Sequence, residues 1–178
     1  ASAHTNRGYA LQVRGEDAAP AYRAAEADFG QALAINPERD ETWMGRGSAR
    51  LNLGLHRAEQ GQVPDAEYGA AIEDFAEALK RNPGRPDSWS RRGGACKSWG
   101  DARAGRGEDP GDLYDRAIAD HEQAVKIHGR RPDLWKELGD ARAAAARLRI
   151  RRGGERGGRS VPLGIALWAG AAEAYGRA

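Results

Sequence analysis

The chain has 178 residues, 30% charged and 40% hydrophobic, with a formal net charge of +2. That length suffices to bury roughly 70% of the unfolded surface, and the one cysteine, Cys96, excludes an internal disulfide framework and fits a reducing, cytoplasmic setting. The most apolar stretch, Val161 to Ala172, is too short to span a bilayer, and the N-terminal residues hold no run of signal-peptide length.

The expected chain is therefore soluble, with no membrane partner. It has no initiator Met, as expected of a processed or excised piece. Its charge is unevenly spread. Arg142, Arg147, Arg149, Arg151, Arg152, Arg156 and Arg159 are accompanied by one acid, Glu155, so this run carries about +6 and the remainder about −4.

Taken in chain order, the elements repeat every 46 residues. Trp43, Trp89 and Trp135 share this spacing, as do Tyr22, Tyr68 and Tyr114, and Asp28, Asp74 and Asp120. Phe29, Phe75 and His121 form another column, Ala32, Ala78 and Ala124 a fourth, and the turn glycines Gly15, Gly61, Gly107 and Gly153 a fifth. So regular a period marks a repeat architecture. The expected units are a partial first repeat over 1–39, a second over 40–85, a third over 86–131, and a divergent fourth or cap over 132–178.

Each unit reads as two helices. The first follows a Pro-containing turn, places an acid in its first turn (Glu41, Asp87, Asp133), and runs some 20 residues to a glycine. The second opens near Pro64 and Pro110, where the missing N–H of proline would be unpaired anyway. It ends at Asn36 and Asn82, expected to close the helix in the left-handed conformation ahead of a proline, and at Gly129 in the third unit. Ala25, Phe29 and Ala32, like Ala71, Phe75 and Ala78, fall at i, i+4 and i+7, a small, large, small stripe that lets helices approach closely. One hairpin cannot bury that stripe alone, so an array is required. The predicted fold is an all-α solenoid of stacked antiparallel helix hairpins.

The stretch "WKELGDAR" (Trp135, Leu138, Gly139) and the stretch "AIEDFAEALKRNP" (Ala71, Phe75, Ala78, Pro83) together resemble the tetratricopeptide repeat family over about residues 1 to 145. The unit here exceeds the family's usual length by about 12 residues, which fall between Trp43 and Ala71 and again between Trp89 and Ala117. They are expected to lengthen both helices beside the inner turn. Arg46 and Arg92 stand where the family has Leu. The first unit lacks its Trp, as expected of a window cut from a longer array, and in the last the stripe returns at Gly164, Trp168 and Ala171 after a one-residue shift.

The resemblance implies a right-handed superhelix whose first helices line a concave groove that binds a peptide or domain of another protein, with no enzymatic activity and no cofactor. Carried over by offset from each Trp, the groove positions are Glu41, Met44, Ser48, Leu51 and Asn52, then Asp87, Ser90, Gly94, Lys97 and Ser98, then Asp133, Lys136, Asp140, Ala143 and Ala144. Ser48, Gly94 and Asp140 stand where the family's clamp for a C-terminal carboxylate has Asn, so chaperone-tail binding is not expected. Met44, Leu51 and Trp99 are candidate anchors or, alternatively, inter-helix core. Self-association through exposed solenoid ends is a second reading. Nucleic-acid or acidic-partner binding through the arginine run is a third, weakened by the lack of interleaved aromatics to stack bases.

Other constellations read as structural. "GGERGGRS", Gly153 to Ser160, has phosphate-loop spacing but follows a helix instead of a strand and carries Arg159 in place of Lys, so it reads as an inner turn. His121 and His128 are seven apart, yet His121 holds the ring position of Phe29 and Phe75 and no third ligand has metal-site spacing. His121 and Cys96 are expected to be interior packing residues.

Overall fold

The computed structural model describes residues 1–155 together with Gly176. These residues form seven helices: α1 (Ser2–Val13), α2 (Ala19–Ile35), α3 (Asp40–Glu59), α4 (Asp65–Arg81), α5 (Pro86–Gly105), α6 (Gly111–Ile127) and α7 (Pro132–Glu155). Each helix packs on its neighbours in sequence. In addition α1 touches α3, α3 touches α5 and α5 touches α7, whereas no such contact joins α2 to α4 or α4 to α6. The odd-numbered helices are therefore the inner layer of a curved stack, and the even-numbered ones the outer layer.

The turns follow from local chemistry. Gly15, Gly61 and Gly107 adopt φ of 73°, 72° and 78°, a conformation that favours glycine, and each lets the chain double back from an inner helix to an outer one. Pro64 and Pro110 then stand at the N-caps of α4 and α6. The added residues of the long unit do lie in the helices, since α3 and α5 have 20 residues and α4 and α6 have 17.

Two expectations about helix ends are corrected. Asn36 and Asn82 are extended, with φ/ψ of −142°/94° and −139°/81°, not left-handed. Each precedes a proline, whose Cδ crowds the preceding residue out of compact conformations. In the third unit Gly129 does not take a left-handed φ, and the cap is His128 at φ −141°, ψ 66°. The same turn shape is held in all three places by a Trp latch: Nε1 of Trp43, Trp89 and Trp135 donates to the carbonyls of Pro37, Pro83 and Gly129 at 2.7, 2.8 and 2.8 Å.

The expected turn at Gly153 is also absent, because α7 continues through it to Glu155. At the position equivalent to Pro64 and Pro110, the N-caps of α4 and α6, the fourth unit has Arg156. The remainder of the loop, with Arg156, Arg159 and the Gly164, Trp168, Ala171 stripe, lies outside the described residues.

The core runs the length of the stack. Ala71, Ile72, Phe75, Ala95, Cys96, Ala117 and Ala141 form one buried cluster, with Met44, Leu51 and Trp99 packed against it. Rings sit directly on inner-helix glycines. A Cβ at Gly54 or Gly100 would lie 2.9 or 2.7 Å from the Tyr68 or Tyr114 ring, and one at Gly47 or Gly93 would lie 2.9 Å from Phe75 or His121. At the place equivalent to Gly100 and Tyr114 the fourth unit has Ala146 and Ser160, so the ring and its glycine are lost together.

Candidate functional site

The two arginines at the Trp + 3 positions each hold a buried carboxylate beside a Trp ring. Arg46 donates from Nε and Nη2 to Asp74 at 3.0 and 2.7 Å, and its guanidinium lies 4.8 Å from the Trp43 ring centroid. One unit later Arg92 repeats the arrangement on Asp120, at 2.8 and 2.7 Å, over Trp89 at 4.9 Å. Asp74 also accepts from Arg50 at 3.0 Å. Burial still holds the Asp74 carboxyl above its ordinary value, and the hydrogen bonds that Arg92 donates to Asp120 raise Arg92. These buried pairs tie each inner helix to its own outer helix and set the inner face in position.

Two depressions lie on that inner face. The first, about 450 Å³, has Phe29, Ala32, Met44 and Gly45 as its apolar lining, with Ser48, Glu41, Arg39 and Arg91 around it and Ala1 and Ser2 at its border. The second, about 370 Å³, is bordered by Leu51, Asp87, Ser90, Gly94 and Asp133, with Arg91, Arg131 and Glu137. Arg91 belongs to both, so the depressions share one wall.

Eight of the groove positions expected from the sequence thus border these depressions: Glu41, Met44 and Ser48 at the first, and Leu51, Asp87, Ser90, Gly94 and Asp133 at the second. Asn52, Lys97, Ser98, Lys136 and Asp140 border neither; Lys97 is held by Asp101 at 2.7 Å and Lys136 by Asp140 at 2.9 Å. Ala143 and Ala144 are buried and form no part of the surface; Ala144 packs with Tyr114 of α6. Of the candidate anchors, Met44 and Leu51 are half-buried at the edges of the depressions. Trp99 is inter-helix core: its indole Nε1 donates to Asp65 of α4 at 2.8 Å.

Most charges facing the groove are committed. Arg85 bridges to Asp40 and Glu41 at 2.8 and 2.6 Å, and Arg131 to Asp87 and Asp133 at 2.5 Å each. Asp133 is held below the usual carboxylate range by Arg131, and Glu41 by its own backbone N–H and then Arg85. Glu137 accepts from the Ser90 hydroxyl at 2.5 Å. Behind it the buried imidazole of His121 has its Nδ1 3.6 Å from Glu137 and without a hydrogen bond, and burial pushes the ring down to about 4.

Arg91, Glu137, Arg39 and Arg131 border the depressions and lie outside the offsets counted from Trp. The signal for Arg91 and Glu137 was present. Residues 41, 45, 48 and 52 fall at i, i+4, i+7 and i+11, a single stripe, and the column of Gly45 is continued by Arg91 and Glu137.

The arginine run is largely drawn onto the outer helix beside it. Arg142 bonds Glu122 at 2.9 Å, Arg149 bonds Asp115 at 2.7 Å, and Arg152 pairs with Asp109. Arg147 and Arg151 border a smaller hollow of about 210 Å³ with Asp101, Tyr114 and Leu148. Among the described residues no cluster of three His, Cys, Asp or Glu is placed to hold a metal ion, and no helix is long and apolar enough to cross a membrane. Cys96 is fully buried, and that burial pushes its thiol up to about 11.

No protein-family model matches the chain, and no curated protein matches it. Among solved structures it is similar to two crystal structures of MamA. One is 16% identical, with a TM-score of 0.39, over 99% of this chain and 92% of that chain. The other is 17% identical, with a TM-score of 0.36, over 96% of this chain and 95% of that chain.

Proposed function

We propose that this tetratricopeptide-like array is a non-enzymatic scaffold that binds a peptide or domain of another protein along its inner face. The observation that carries the reading is the pair of adjoining depressions joined at Arg91, the first lined by α2 and α3 with the start of α1 at its border, the second by α3, α5 and α7. A surface preformed by rigid helices spends little conformational entropy on binding, and half-buried apolar residues at its edges, Met44 and Leu51, supply contact area that water cannot match. The repeating Trp latches hold the turns that lead into α3, α5 and α7, and the buried Arg–Asp pairs tie α3 to α4 and α5 to α6.

The test is site-specific photo-crosslinking in lysate with p-benzoylphenylalanine at Ser90, on the inner face, or at Glu73, exposed on outer helix α4. Specific protein adducts from Ser90 and none from Glu73 are expected. Equal capture at both positions, or adducts from Glu73 alone, overturns the reading.

Self-association is the second reading, favoured by the exposed Tyr9 and Val13, four apart on α1, which are 66% and 69% accessible. A molar mass by light scattering that stays at the monomer value as concentration rises removes it.

A further inference from the structure

We infer that the second depression takes a basic side chain of a partner segment, its aliphatic stem laid across Gly94 and Leu51 and its cation meeting the Glu137 carboxylate. This rests on, and narrows, the reading of the inner face as a protein-binding groove.

Charge complementarity decides the occupant. Three carboxylates border this depression, Asp87, Asp133 and Glu137, against two guanidiniums, Arg91 and Arg131. Arg131 is shared between Asp87 and Asp133. Arg91 turns to α3, where its Nη1 donates to the Ser48 hydroxyl at 3.3 Å. Glu137 accepts from a neutral hydroxyl, that of Ser90 at 2.5 Å, and makes no ion pair with a Lys or Arg among the described residues. The lysines of the same face are spent as well, Lys97 on Asp101 and Lys136 on Asp140.

This imbalance lies inside the stack. Glu137 shares its column with Gly45 and Arg91, and the side chains of that column reach back to the preceding inner helix, Arg91 to Ser48 on α3 and Glu137 to Ser90 on α5. The helices on which a cation for Glu137 would stand, α3 and α5, are both in place, and neither pairs one with it.

A second observation points to the same carboxylate. The Glu137 oxygen that accepts from Ser90 also faces Nδ1 of His121 at 3.6 Å, and that nitrogen, on a residue 1% accessible, has no hydrogen bond. Burial keeps the imidazole neutral near neutral pH in spite of Asp120 on its own helix and Asp140 on α7, and Lys97 of α5 acts in the same sense as burial. The charge of Glu137 is therefore answered neither from the core behind it nor from the groove in front.

The shape of the depression sets the kind of cation. A Cβ at Gly94 would meet nothing within 4 Å, so the surface is open there, and Leu51 across from Glu137 is half-buried. Lys and Arg carry an apolar stem ahead of the charge, which covers Gly94 and Leu51 while the head reaches Glu137. A short polar group would leave Leu51 wet, and a purely apolar one would cover Glu137 with no counter-charge.

The experiment is selection from a random-peptide display library on the full chain, with the enriched peptides then measured on Glu137→Gln, on Arg91→Ala, and on Gly94→Trp, which fills the depression. Each variant is first shown by circular dichroism to melt as a folded helical protein. The expected result is enrichment of peptides carrying Lys or Arg, whose affinity falls about tenfold or more on Glu137→Gln, is unchanged or higher on Arg91→Ala, and is abolished on Gly94→Trp. Replacing the enriched Lys or Arg by Gln is expected to cost little further on Glu137→Gln, since both changes remove one contact. Losses that add in full overturn the assignment of Glu137 as the partner of the cation. Acidic or neutral peptides that are lost on Gly94→Trp overturn the basic class and leave the groove reading standing. Peptides that bind Gly94→Trp as well as the parent overturn the occupant, and no enrichment at all overturns both.

Discussion

Arg92 and Asp120, 28 residues apart, form a two-bonded ion pair at 2.8 and 2.7 Å beneath the Trp89 ring, and Arg46 with Asp74 reproduces it one unit earlier. In the fourth unit both members are gone together: Leu138 stands for the Arg, and neither Ala166 nor, with the one-residue shift, Leu167 is an acid. The joint loss is the pattern expected when an unpaired buried carboxylate costs more than the pair contributes.

Removing one partner is accordingly predicted to be worse than removing both. Arg92→Leu leaves Asp120, 5% accessible, without its cation and is expected to lower stability by about 2 to 3 kcal/mol. Arg92→Leu with Asp120→Ala, which like the fourth unit lacks both members of the pair, is expected to recover at least half of that loss. Urea denaturation of the two variants checks the order, and a double variant weaker than the single one contradicts it.

Two neighbouring glycines of α5 are predicted to respond with opposite sign. A Cβ at Gly93 would meet His121 at 2.9 Å and the Ala117 carbonyl at 3.1 Å, so Gly93→Ala is expected to cost about 1 to 3 kcal/mol through overpacking. Gly94 has nothing within 4 Å, and Gly94→Ala is expected to gain up to about 1 kcal/mol from helix propensity. Thermal melts of both, side by side, measure the difference.

His121 makes stability depend on pH in a definite direction. Burial lowers its folded value from 6.5 to about 4, so between those limits the unfolded chain binds the extra proton. Stability from this residue is whole above pH 6.5 and is lost as the pH falls toward about 4. His121→Phe, which restores the ring of Phe29 and Phe75, is predicted to become more stable relative to the parent by up to about 3 kcal/mol on going from pH 7 to pH 4. A parent-to-variant difference that does not change with pH contradicts this.

Cys96 is predicted to be silent toward thiol reagents in the folded chain. Its thiol is buried and its ionisation is pushed up to about 11, so thiolate is scarce at neutral pH. Alkylation by iodoacetamide is expected to rise only through the urea unfolding transition, with the midpoint seen by circular dichroism. Labelling in native buffer at the rate of the unfolded chain contradicts it.

The sequence by itself determined the all-α repeat: the 46-residue period, the helix starts at the prolines and the reversals at Gly15, Gly61 and Gly107 all rest on local sterics that act within a few residues. The inner-face stripe was legible too, since helical spacing puts residues 41, 45, 48 and 52 on one side. Tertiary structure alone decided which members of that stripe are available. Arg85 and Arg131 are the same residue at the same place in the repeat, and each is spent on an acid 44 residues back, Glu41 and Asp87, that belongs to the preceding unit. Likewise Ala143 and Ala144 are buried where Leu51 and Asn52, their counterparts in the repeat, are only partly covered. Such differences depend on what the next helix in the stack presents, a property of packing between units that no period within the sequence expresses.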